Sequence, residues 1–567
     1  MSNSLFRKKS IEKIVKDAEA GLDDGHGHSG GLKKVLNVKD LTFMGIAAVV
    51  GAGIFSTIGK AAFDGGPGIS LLFIITAVTC GFSALCYAEF ASRVPIAGSA
   101  YTYAYVSFGE IIAWIIGWAL ILEYAIGNIV VAISWSGYFN NLLEGFGLHL
   151  PGWMITDPGS AKEAFTKAQE TLNAGGALDK TMQFAYDTWN NAPVIAGKHI
   201  FLNIPAFIIV CLISALTYIG MKESKKMTNF LVIFKILVII FVIIVGFFFV
   251  EPGNWNPFMP NDFGGVLKGV SAVFYAYIGF DAISTTAEEC RNPQRDLPRG
   301  MIYSLVICTV LYILVAFVLT GMVNYSELNV SDPLAFVFER VGQNWIGYIV
   351  SVSAVVATTS VLLVFQLGQP RIWMSMSRDG LLPKAFGKVH PKYQTPWFST
   401  IITGILVAVP SLFMRSSLMT DLTSIGTLFA FVLVSGGVLT LPRIANLTGN
   451  STGKFKLPYI NGKVIVPLLF VLFAFFSKDR IISSVQNLGS DNLQEILFVI
   501  FIVLAAVLSV LTFIRNYSLI PILGVLFCSY LLIEIPAVSW MYFLIWMAIG
   551  LSIYFLYGYR KSRLAKA

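Results

Sequence analysis

The chain has 567 residues, of which 56% are hydrophobic and only 13% are charged. Soluble domains usually carry about 25% charged residues, so this composition excludes an ordinary soluble protein. The net charge of +8 could suit a nucleic-acid binder, but the charges lie in short stretches between apolar runs, so we expect no nucleic-acid partner. The six cysteines form no CxxC pair, so neither a disulfide framework nor a zinc site is indicated.

Long apolar runs dominate the chain. A bilayer core about 30 Å thick needs about 20 mostly apolar residues per helix. Runs of about that length, bounded by charged residues, Pro or Gly, predict fourteen transmembrane spans. We number them 1 to 14 in chain order: 41–62, 69–92, 109–140, 200–220, 228–250, 265–288, 301–323, 346–370, 397–414, 421–442, 464–480, 493–514, 518–534 and 538–558. No apolar run precedes span 1, which is therefore expected to direct insertion itself.

The distribution of Lys and Arg predicts the orientation of these spans. With the N-terminus inside, the cytoplasmic segments hold 29 of the 40 Lys and Arg residues, the outer segments hold 10, and Lys235 lies within a span. This bias predicts a multi-pass protein of the cell membrane with residues 1–40 and 559–567 in the cytoplasm. The polar loop 144–198 then lies outside, where AKEAFTKAQETL (161–172) has helical character. We interpret this loop as a solvated cap without assigned chemistry.

Motifs for enzymes and for metal sites are weak or missing in the sequence. Two histidines in Gly25–His28 lie in a Gly- and Asp-rich tail, which is more typical of disorder than of a metal site. No P-loop, kinase motif set, GxSxG elbow or Rossmann fingerprint occurs in its required context. A membrane enzyme or an ATP-driven pump is therefore disfavoured, and no cofactor or metal is expected.

Two spans carry glycines in the middle of the membrane. Span 1 contains Gly51-Ala52-Gly53, and span 6 contains Gly279 followed by Asp281. Unwound backbone at this depth survives only where it is buried in protein or lines a wet cavity, and it frees amide and carbonyl groups to bind a polar solute. Close helix packing would explain one glycine pair. A break in both span 1 and span 6 favours a binding site.

The two breaks also indicate an internal repeat. Five spans separate them, and because five is odd, spans 1–5 (within 41–250) recur in spans 6–10 (within 251–445) with opposite orientation. This is the inverted repeat of secondary transporters. Half-helix N-termini attract a carboxylate and half-helix C-termini offer carbonyls to an ammonium, so the site suits an α-amino acid. Spans 11–14 (within 446–558) lie outside the repeat.

Several sequence stretches match those of one known group of proteins, both in their residues and in their order along the chain. They are GAGIF (51–55) with GGPG (65–68), ALCYAEFASRVPIAGSAYTYAY (84–105), GWALILEYAIGN (117–128), WSGYFNNLL (135–143), FYAYIGFDAISTTAEECRNPQRDLPRG (274–300) and GQPRIWMSMSRDGLLPKAF (368–386). Here and in the closing hairpin at 530–558, the chain resembles the amino acid/polyamine/organocation superfamily, specifically bacterial members of its cationic amino acid transporter group. The resemblance implies an all-α polytopic protein with a LeuT-like 5+5 core, discontinuous spans 1 and 6, and peripheral spans 11–14.

The resemblance also implies positions for the substrate. The substrate carboxylate is expected at the backbone amides around Gly51, Ala52, Gly53 and Ile54. The α-ammonium is expected at the carbonyl groups of Tyr275, Ala276 and Ile278. Span 8 should line the side-chain pocket, with Phe365 as its floor. The bulk of Phe365, and the lack of an acid deep in span 8 or 10, suggest smaller substrates than long basic amino acids.

Three charged residues lie away from span ends: Glu123, Lys235 and Asp281. Each costs several kcal/mol at membrane depth unless it is paired or hydrated, so such residues are functional candidates. Lys235 lies about seven residues, or about 10 Å, from the cytoplasmic start of span 5, so it could instead snorkel or form a structural pair. The resemblance implies that Lys235 occupies the volume where sodium-coupled relatives bind a structural sodium near span 1.

These charges predict a mechanism. Desolvation penalises the charged form of Lys235, so this side chain would bind and release a proton. The proton would be the coupling ion. Its binding and release would shift the balance between the inward-open and outward-open states. Glu123 and Asp281 would link span 3 to span 6, or form only structural hydrogen bonds. The sequence thus predicts a proton-coupled amino acid symporter. A sodium-independent exchanger is the alternative, and a channel or nutrient receptor is less favoured. A single subunit is expected, with a small single-span accessory subunit left open.

Overall fold

The computed structural model describes residues 5–9, 36–94, 99–219, 224–330, 332–393, 395–440, 455–487 and 493–566. This part of the chain is mostly helical and includes a short antiparallel β-ribbon that pairs Val194–Ile195 with Lys198–His199. The Gly25–His28 stretch and the repeat boundary predicted at residue 445 lie outside the described residues.

Each predicted span overlaps helical structure. Spans 1 to 5 contain Val38–Val49 with Ile58–Gly65, Ile69–Arg93, Glu110–Ile121 with Gly127–Gly145, Ile204–Ile219, and Ser224–Phe247. Spans 6 to 10 contain Asp262–Lys268 with Val270–Tyr275, Pro293–Met322, Asn344–Arg378, Trp397–Ser411, and Ser416–Thr440. Spans 11 to 14 contain Ile465–Phe476, Leu493–Arg515, Leu519–Ile533 and Ala537–Ile553. Helices outside the spans include Ser99–Ser107, Pro158–Asn173, Lys180–Asn190 and Pro333–Arg340, and Lys478–Gln486 begins at the end of span 11.

Length and composition support a polytopic membrane protein. Among the described residues, eight helices are long and apolar enough to cross a membrane, or nine if Asp262–Lys268 and Val270–Ala287, bent by 43°, form one span. One of the eight, Val38–Arg93, carries both span 1 and span 2. The apolar helices of spans 4, 9, 11 and 13 are shorter, at 10–17 residues. The count of fourteen spans and the inverted repeat therefore stay predictions.

The start of span 1 is set by its first residues. The backbone amide of Asp40 donates to the side-chain oxygen of Asn37, and the amide of Asn37 donates to the carboxylate of Asp40, both at 3.1 Å. This reciprocal capping box satisfies amide groups that a helix N-terminus leaves without a partner. The helix therefore begins at Val38, directly before the apolar run.

The loop 144–198, predicted to lie outside the cell, contains its own helices and a small apolar cluster. The predicted helical character of residues 161–172 is confirmed by the helix Pro158–Asn173, where Asp157 accepts two backbone hydrogen bonds at 2.9 Å. Trp189 packs beside the buried Phe201, with ring centroids 5.3 Å apart. Glu163 lies 3.5 Å from Arg415, which ties the loop to the connection between spans 9 and 10.

Glu110, at the start of span 3, joins both ends of the chain. Its carboxylate is completely buried and accepts hydrogen bonds from Tyr105 at 2.8 Å, from Tyr554 at 3.0 Å and from the hydroxyl of Ser562. The guanidinium of Arg7 lies 4.0 Å away, and the Arg7 carbonyl accepts the backbone amide of Glu110 at 2.9 Å. The two terminal segments therefore dock at the same end of the helical bundle.

Replacing Glu110 by alanine should destabilise the protein. We expect a loss of about 2–4 kcal/mol in the free energy of unfolding, because several buried donors lose their acceptor. Thermal unfolding of the purified protein in detergent measures this change. Glu163→Ala is the matched control, since it removes a carboxylate from exposed ion pairs with Lys167 and Arg415 and should cost about 0–1 kcal/mol. Equal melting temperatures for Glu110→Ala and the unchanged protein would contradict the expectation.

Candidate functional site

Span 1 is broken where its glycines predicted a break. The first half-helix ends at Val49, and Val50 is extended, with φ −78° and ψ 96°. The carbonyl of Gly51 accepts the amides of Ile54 and Phe55, both at 3.2 Å, and so begins the second half-helix. Amide groups before Ile54 have no acceptor within this half-helix. They form a positive end that can receive a carboxylate.

Span 6 is interrupted at the matching depth. The helix Val270–Tyr275 ends, residues 276–278 form turns, and a 3₁₀ segment follows over Phe280–Glu289. Gly279 has φ 116°, a conformation that side chains disfavour, and a Cβ there would lie 2.8 Å from the Cβ of Ala48. The backbone of span 6 therefore leaves helical geometry where it passes span 1.

Glycines bring the two breaks into direct contact. A Cβ on Gly53 would lie only 2.3 Å from the Cα of Ala276, so the backbones of spans 1 and 6 meet there. A Cβ on Gly51 would lie 2.5 Å from a methyl group of Val361, which brings in span 8. The Gly51-Ala52-Gly53 sequence thus allows spans 6 and 8 to pack closely against span 1, in addition to allowing the span 1 helix to unwind.

A small cavity lies between the two breaks. Its lining comes from spans 1, 3, 6 and 8: Ala48, Val49, Gly51, Ala52, Gly53, Val131, Tyr275, Ile278, Val361 and Phe365. Six of the eight residues expected to bind substrate are in this lining. Ile54 and Ala276 are not, and Ala276 packs directly against Gly53.

Four lining residues were not predicted: Ala48, Val49, Val131 and Val361. Val361 could have been found, because it lies one helical turn before Phe365 and so shares its face of span 8. Val131 carries no such signal, since apolar residues fill most of span 3.

Aromatic residues fix one end of the cavity. Phe365 is buried and meets the edge of Tyr124, with ring centroids 5.7 Å apart. The hydroxyl of Tyr275 donates to the carbonyl of Gly127 at 2.8 Å and so ties span 6 to span 3. This end of the cavity is therefore apolar and backed by a second aromatic ring.

Lys235 lies directly beneath the break in span 1. Its Nζ donates to the carbonyls of Ala47 at 3.0 Å and Val50 at 2.8 Å, and to the hydroxyl of Ser360 at 3.1 Å. The side chain is completely buried, so it does not snorkel to the membrane surface. A cation at the C-terminal end of a half-helix is favourably placed. Lys235 thereby connects span 5 to spans 1 and 8.

Glu123 and Asp281 form a second buried polar element. Their carboxyl groups face each other between spans 3 and 6, with Thr427 beside Glu123. Both residues are completely buried, and none of their carboxyl oxygens makes a hydrogen bond of standard geometry within the described part of the chain. Two carboxylates facing each other in such a place would repel each other strongly if both were charged.

Span 3 adopts a π-helical turn at Glu123. The turn covers Leu122–Ile126, and the hydroxyl of Thr423 donates to the carbonyl of Leu122 at 3.0 Å. Such turns free a backbone carbonyl and are frequent at functional sites. No residue pattern in span 3 predicts this turn.

Polar contacts also close the end of the protein where the termini dock. Glu89 forms an ion pair with Arg93, and Asp379 forms one with Lys9. The hydroxyl of Tyr101 donates to Asp379 at 2.6 Å. The contacts of Asp379 join the helix Ser99–Ser107 and the C-terminal end of the span 8 helix to the N-terminal segment.

Comparison with known proteins identifies the family of the chain. Residues 36–501 match the family model described as amino acid permease, and residues 517–562 match that of the C-terminus of AA_permease. The chain is 37% identical over 565 residues to the branched-chain amino acid permease BcaP of Bacillus subtilis (strain 168), with all of both chains covered. It is 36% identical, with the same coverage, to the methylthioribose transporter of that organism.

A plant relative extends the comparison. The vacuolar cationic amino acid transporter 4 of Arabidopsis thaliana is 32% identical over 628 residues, which cover all of this chain and 97% of the relative. The sequence resemblance to this group is thereby confirmed. The chain belongs to the amino acid permease family, whose members are membrane transporters and not enzymes.

Proposed function

We propose that this protein is a secondary active transporter that carries α-amino acids into the cell together with protons, by alternating access. The observation that carries this proposal is the position of Lys235. Its ammonium bonds to two carbonyls at the break in span 1 and to span 8, within the group of spans that lines the cavity. A titratable cation there can make the stability of this contact depend on a proton.

The two breaks offer binding groups for the two charged groups of the substrate, its carboxylate and its α-ammonium. The amides before Ile54 receive the carboxylate, because the second half of span 1 has no acceptor for them. The unwound carbonyls at residues 275–278 of span 6 accept the α-ammonium. The side chain then points toward Val131, Val361 and Phe365.

Protonation of Lys235 couples this site to the proton gradient. With its proton, Lys235 attracts the C-terminal end of the first half of span 1 by charge as well as by hydrogen bonds. Without the extra proton the charge attraction is lost and the contact with span 8 weakens. We infer that release of this proton favours movement of the first half of span 1, which opens the cavity to the inside.

The cavity suits a small, uncharged side chain. Its lining includes no acidic residue that could pair with a basic side chain, and the buried ring of Phe365 limits the space at one end. The names of the relatives span branched-chain amino acids, cationic amino acids and methylthioribose, so they do not decide the substrate. We infer small neutral amino acids, such as alanine, as the substrate class.

We further propose that the protein lies in the cell membrane with both termini in the cytoplasm. Glu110 holds the two terminal segments together at one end of the bundle. The excess of Lys and Arg in the loops at that end supports the cytoplasmic assignment.

Uptake into proteoliposomes without sodium tests the function. Labelled alanine, leucine, arginine and methylthioribose are offered with and without an inward proton gradient, and the vesicles contain no substrate. We expect the gradient to stimulate uptake of alanine most strongly. Uptake that occurs only after an amino acid is loaded inside would identify an exchanger. Preference for methylthioribose would overturn the substrate class.

Shortening Phe365 should change the substrate size that the site accepts. In Phe365→Ala, leucine uptake relative to alanine uptake should rise about tenfold or more, as expected when room is made for additional methylene groups. Competition assays with both amino acids measure this ratio. Phe475→Ala in span 11 is the control, because Phe475 is 65% exposed and lies outside the cavity lining. An unchanged ratio in Phe365→Ala would show that Phe365 does not limit the pocket.

A further inference from the structure

A groove of about 610 Å³ lies where spans 5 and 7 end. Its lining comes from residues within 248–254, after span 5, within 322–327, at the end of span 7, and from residues 340 and 341. We call it the span 5–7 groove. It shares no lining residue with the cavity between the breaks in spans 1 and 6. The proposed transport site therefore does not account for it.

Three helices end at the span 5–7 groove. The helix Ser224–Phe247 of span 5 ends directly before the groove, and Pro293–Met322 of span 7 ends within its lining. The helix Pro333–Arg340 also ends there. The last turn of a helix leaves carbonyl groups without a partner inside the helix and carries a partial negative charge. The three ends together favour a positively charged group in the groove.

The charged side chains of the groove have both signs. Glu251 and Glu327 contribute carboxylates, and Arg340 contributes a guanidinium. The Nε of Arg340 donates to Glu327 at 2.8 Å, which leaves the terminal nitrogens of this forked side chain able to bind a phosphate. Among the described residues, the carboxylate of Glu251 makes no ion pair. The groove thus suits a ligand that carries an ammonium and a phosphate.

Two tryptophans place the groove at the depth of lipid headgroups. The indole nitrogen of Trp255 donates to the carbonyl of Phe317 at 3.2 Å, near the end of span 7. Trp345 is 60% exposed, and its ring lies 6.5 Å from that of Phe241 in span 5. Tryptophan is enriched where a membrane meets water, because its ring is apolar and its N–H is polar. The groove therefore opens at the membrane surface, on the outer side in the orientation proposed above.

An exposed apolar face of span 5 leads to the groove. Its members recur every three or four residues and are 38–66% exposed: Phe230, Ile233, Leu237, Ile240, Ile244 and Phe247. This spacing places them on one side of the helix. Span 7 packs beside this helix, since a Cβ on Gly246 would lie 2.9 Å from the sulfur of Met322. A lipid with its headgroup in the groove can therefore lay its acyl chains along span 5.

We propose that the span 5–7 groove binds the headgroup of a phospholipid with a primary ammonium, of the phosphatidylethanolamine type. The ammonium donates its N–H groups to Glu251 and to carbonyls at the helix ends, while Arg340 binds the phosphate. A choline headgroup has no N–H to donate, and a glycerol headgroup has no positive charge. The bound lipid connects spans 5 and 7 with the helix Pro333–Arg340. This inference is independent of the proposed function.

Thermal unfolding of the full-length purified protein in detergent tests the headgroup. Phosphatidylethanolamine, phosphatidylcholine and phosphatidylglycerol with identical acyl chains are added over a range of concentrations. We expect the ethanolamine lipid to raise the melting temperature most, because a ligand that binds only the folded state stabilises it by mass action. Equal shifts with the three lipids would overturn the proposed selectivity.

Glu251→Gln tests the groove itself. The variant keeps the size of the side chain and removes its charge, so the concentration of phosphatidylethanolamine that gives half of the shift should rise about tenfold. Without lipid, the melting temperature should stay near that of the unchanged protein, because Glu251 is exposed. Glu144→Gln is the matched control, since Glu144 is also exposed at the end of a span but lies outside the groove lining. An unchanged half-shift concentration in Glu251→Gln, or an equal rise in Glu144→Gln, would contradict the proposal.

Soluble glycerophosphoethanolamine distinguishes a lipid from a free headgroup. It carries the same ammonium and phosphate without acyl chains, so it should give no shift at concentrations where phosphatidylethanolamine saturates. An equal shift would show that the groove binds a soluble amine and would overturn the lipid assignment.

Photo-crosslinking locates the bound lipid without any variant. The probe is phosphatidylethanolamine with a diazirine at the start of one acyl chain, in nanodiscs of phosphatidylcholine, and mass spectrometry identifies the labelled residues. We expect labels at residues 244–248, next to the groove, and fewer with the corresponding choline probe. Equal labelling of Phe475 in span 11, which is 65% exposed and lies outside the groove lining, would show that the lipid has no preferred site.

Discussion

Lys235→Met is expected to lose proton-driven uptake while the protein remains folded in the membrane. Methionine keeps an unbranched apolar chain of similar length, but it cannot donate to the carbonyls of Ala47 and Val50 or carry a proton. Proton-driven alanine accumulation should fall by about tenfold or more, in line with the loss of a positioned proton carrier. The uptake that remains should no longer depend on external pH. Proteoliposome uptake across a series of pH values measures both effects.

Tyr312→Phe is the control that distinguishes two possible roles of Lys235: carrying a proton, and donating hydrogen bonds to the C-terminal end of the first half of span 1. The hydroxyl of Tyr312 donates to the carbonyl of Val49 at 2.9 Å, between the two carbonyls that Lys235 holds. This variant loses one buried hydrogen bond, worth about 1 kcal/mol, and no readily titratable charge. We expect slower uptake with an unchanged pH dependence. A pH profile in Lys235→Met identical to that of the unchanged protein would remove Lys235 as the carrier, as would an equal loss of pH dependence in Tyr312→Phe.

The breaks in spans 1 and 6 could be predicted because glycine changes what the backbone can do locally. Gly51-Ala52-Gly53 and Gly279 lie in long apolar runs, where a helix would otherwise continue, and the structure is interrupted at both places. The resemblance then selected which neighbours of the glycines face the cavity. Six of those eight residues line it. Ile54 and Ala276 do not line the cavity, because the direction in which a residue points depends on how far the helix unwinds.

Other features depend on contacts between residues far apart in the sequence. Ser562 and Glu110 are separated by 452 positions, and nothing in either segment indicates the other. The charge of Glu110 lies at a span end, where a carboxylate usually faces water. Val131 lines the cavity but looks like any other apolar residue of span 3. Packing of whole spans against each other decides these positions, and one sequence does not specify that packing.

Gly53→Ala is expected to stop transport. The new Cβ would lie 2.3 Å from the Cα and 2.9 Å from the amide nitrogen of Ala276, which are backbone atoms that cannot rotate away. Spans 1 and 6 must then move apart at the site where we propose that both bind the substrate. A displacement of about 1 Å at a reaction or binding site can cost about a hundredfold in rate, and we expect a loss of that order in alanine uptake. Overpacking should also lower stability by about 1–3 kcal/mol.

Gly137→Ala is the matched control for this prediction. Gly137 lies in the helix Gly127–Gly145 of span 3, and a Cβ there would meet no atom within 4 Å. Alanine usually stabilises a helix interior relative to glycine by about 0.5–1 kcal/mol, so this variant should keep both its melting temperature and its uptake. Normal uptake in Gly53→Ala would show that the two breaks do not need to touch.

Ala276→Gly tests whether the contact at Gly53 is made by the backbone. If the clash in Gly53→Ala involved only the Ala276 methyl group, which would lie 2.6 Å from the new Cβ, the double variant Gly53→Ala/Ala276→Gly would regain transport. The closest atom is the Cα of Ala276, which remains in the double variant, so we expect no rescue. Uptake and thermal unfolding of the two single variants and the double variant measure this coupling. Because the approach of the two backbones leaves no room for any Cβ, glycine at residue 53 is a requirement of the site itself.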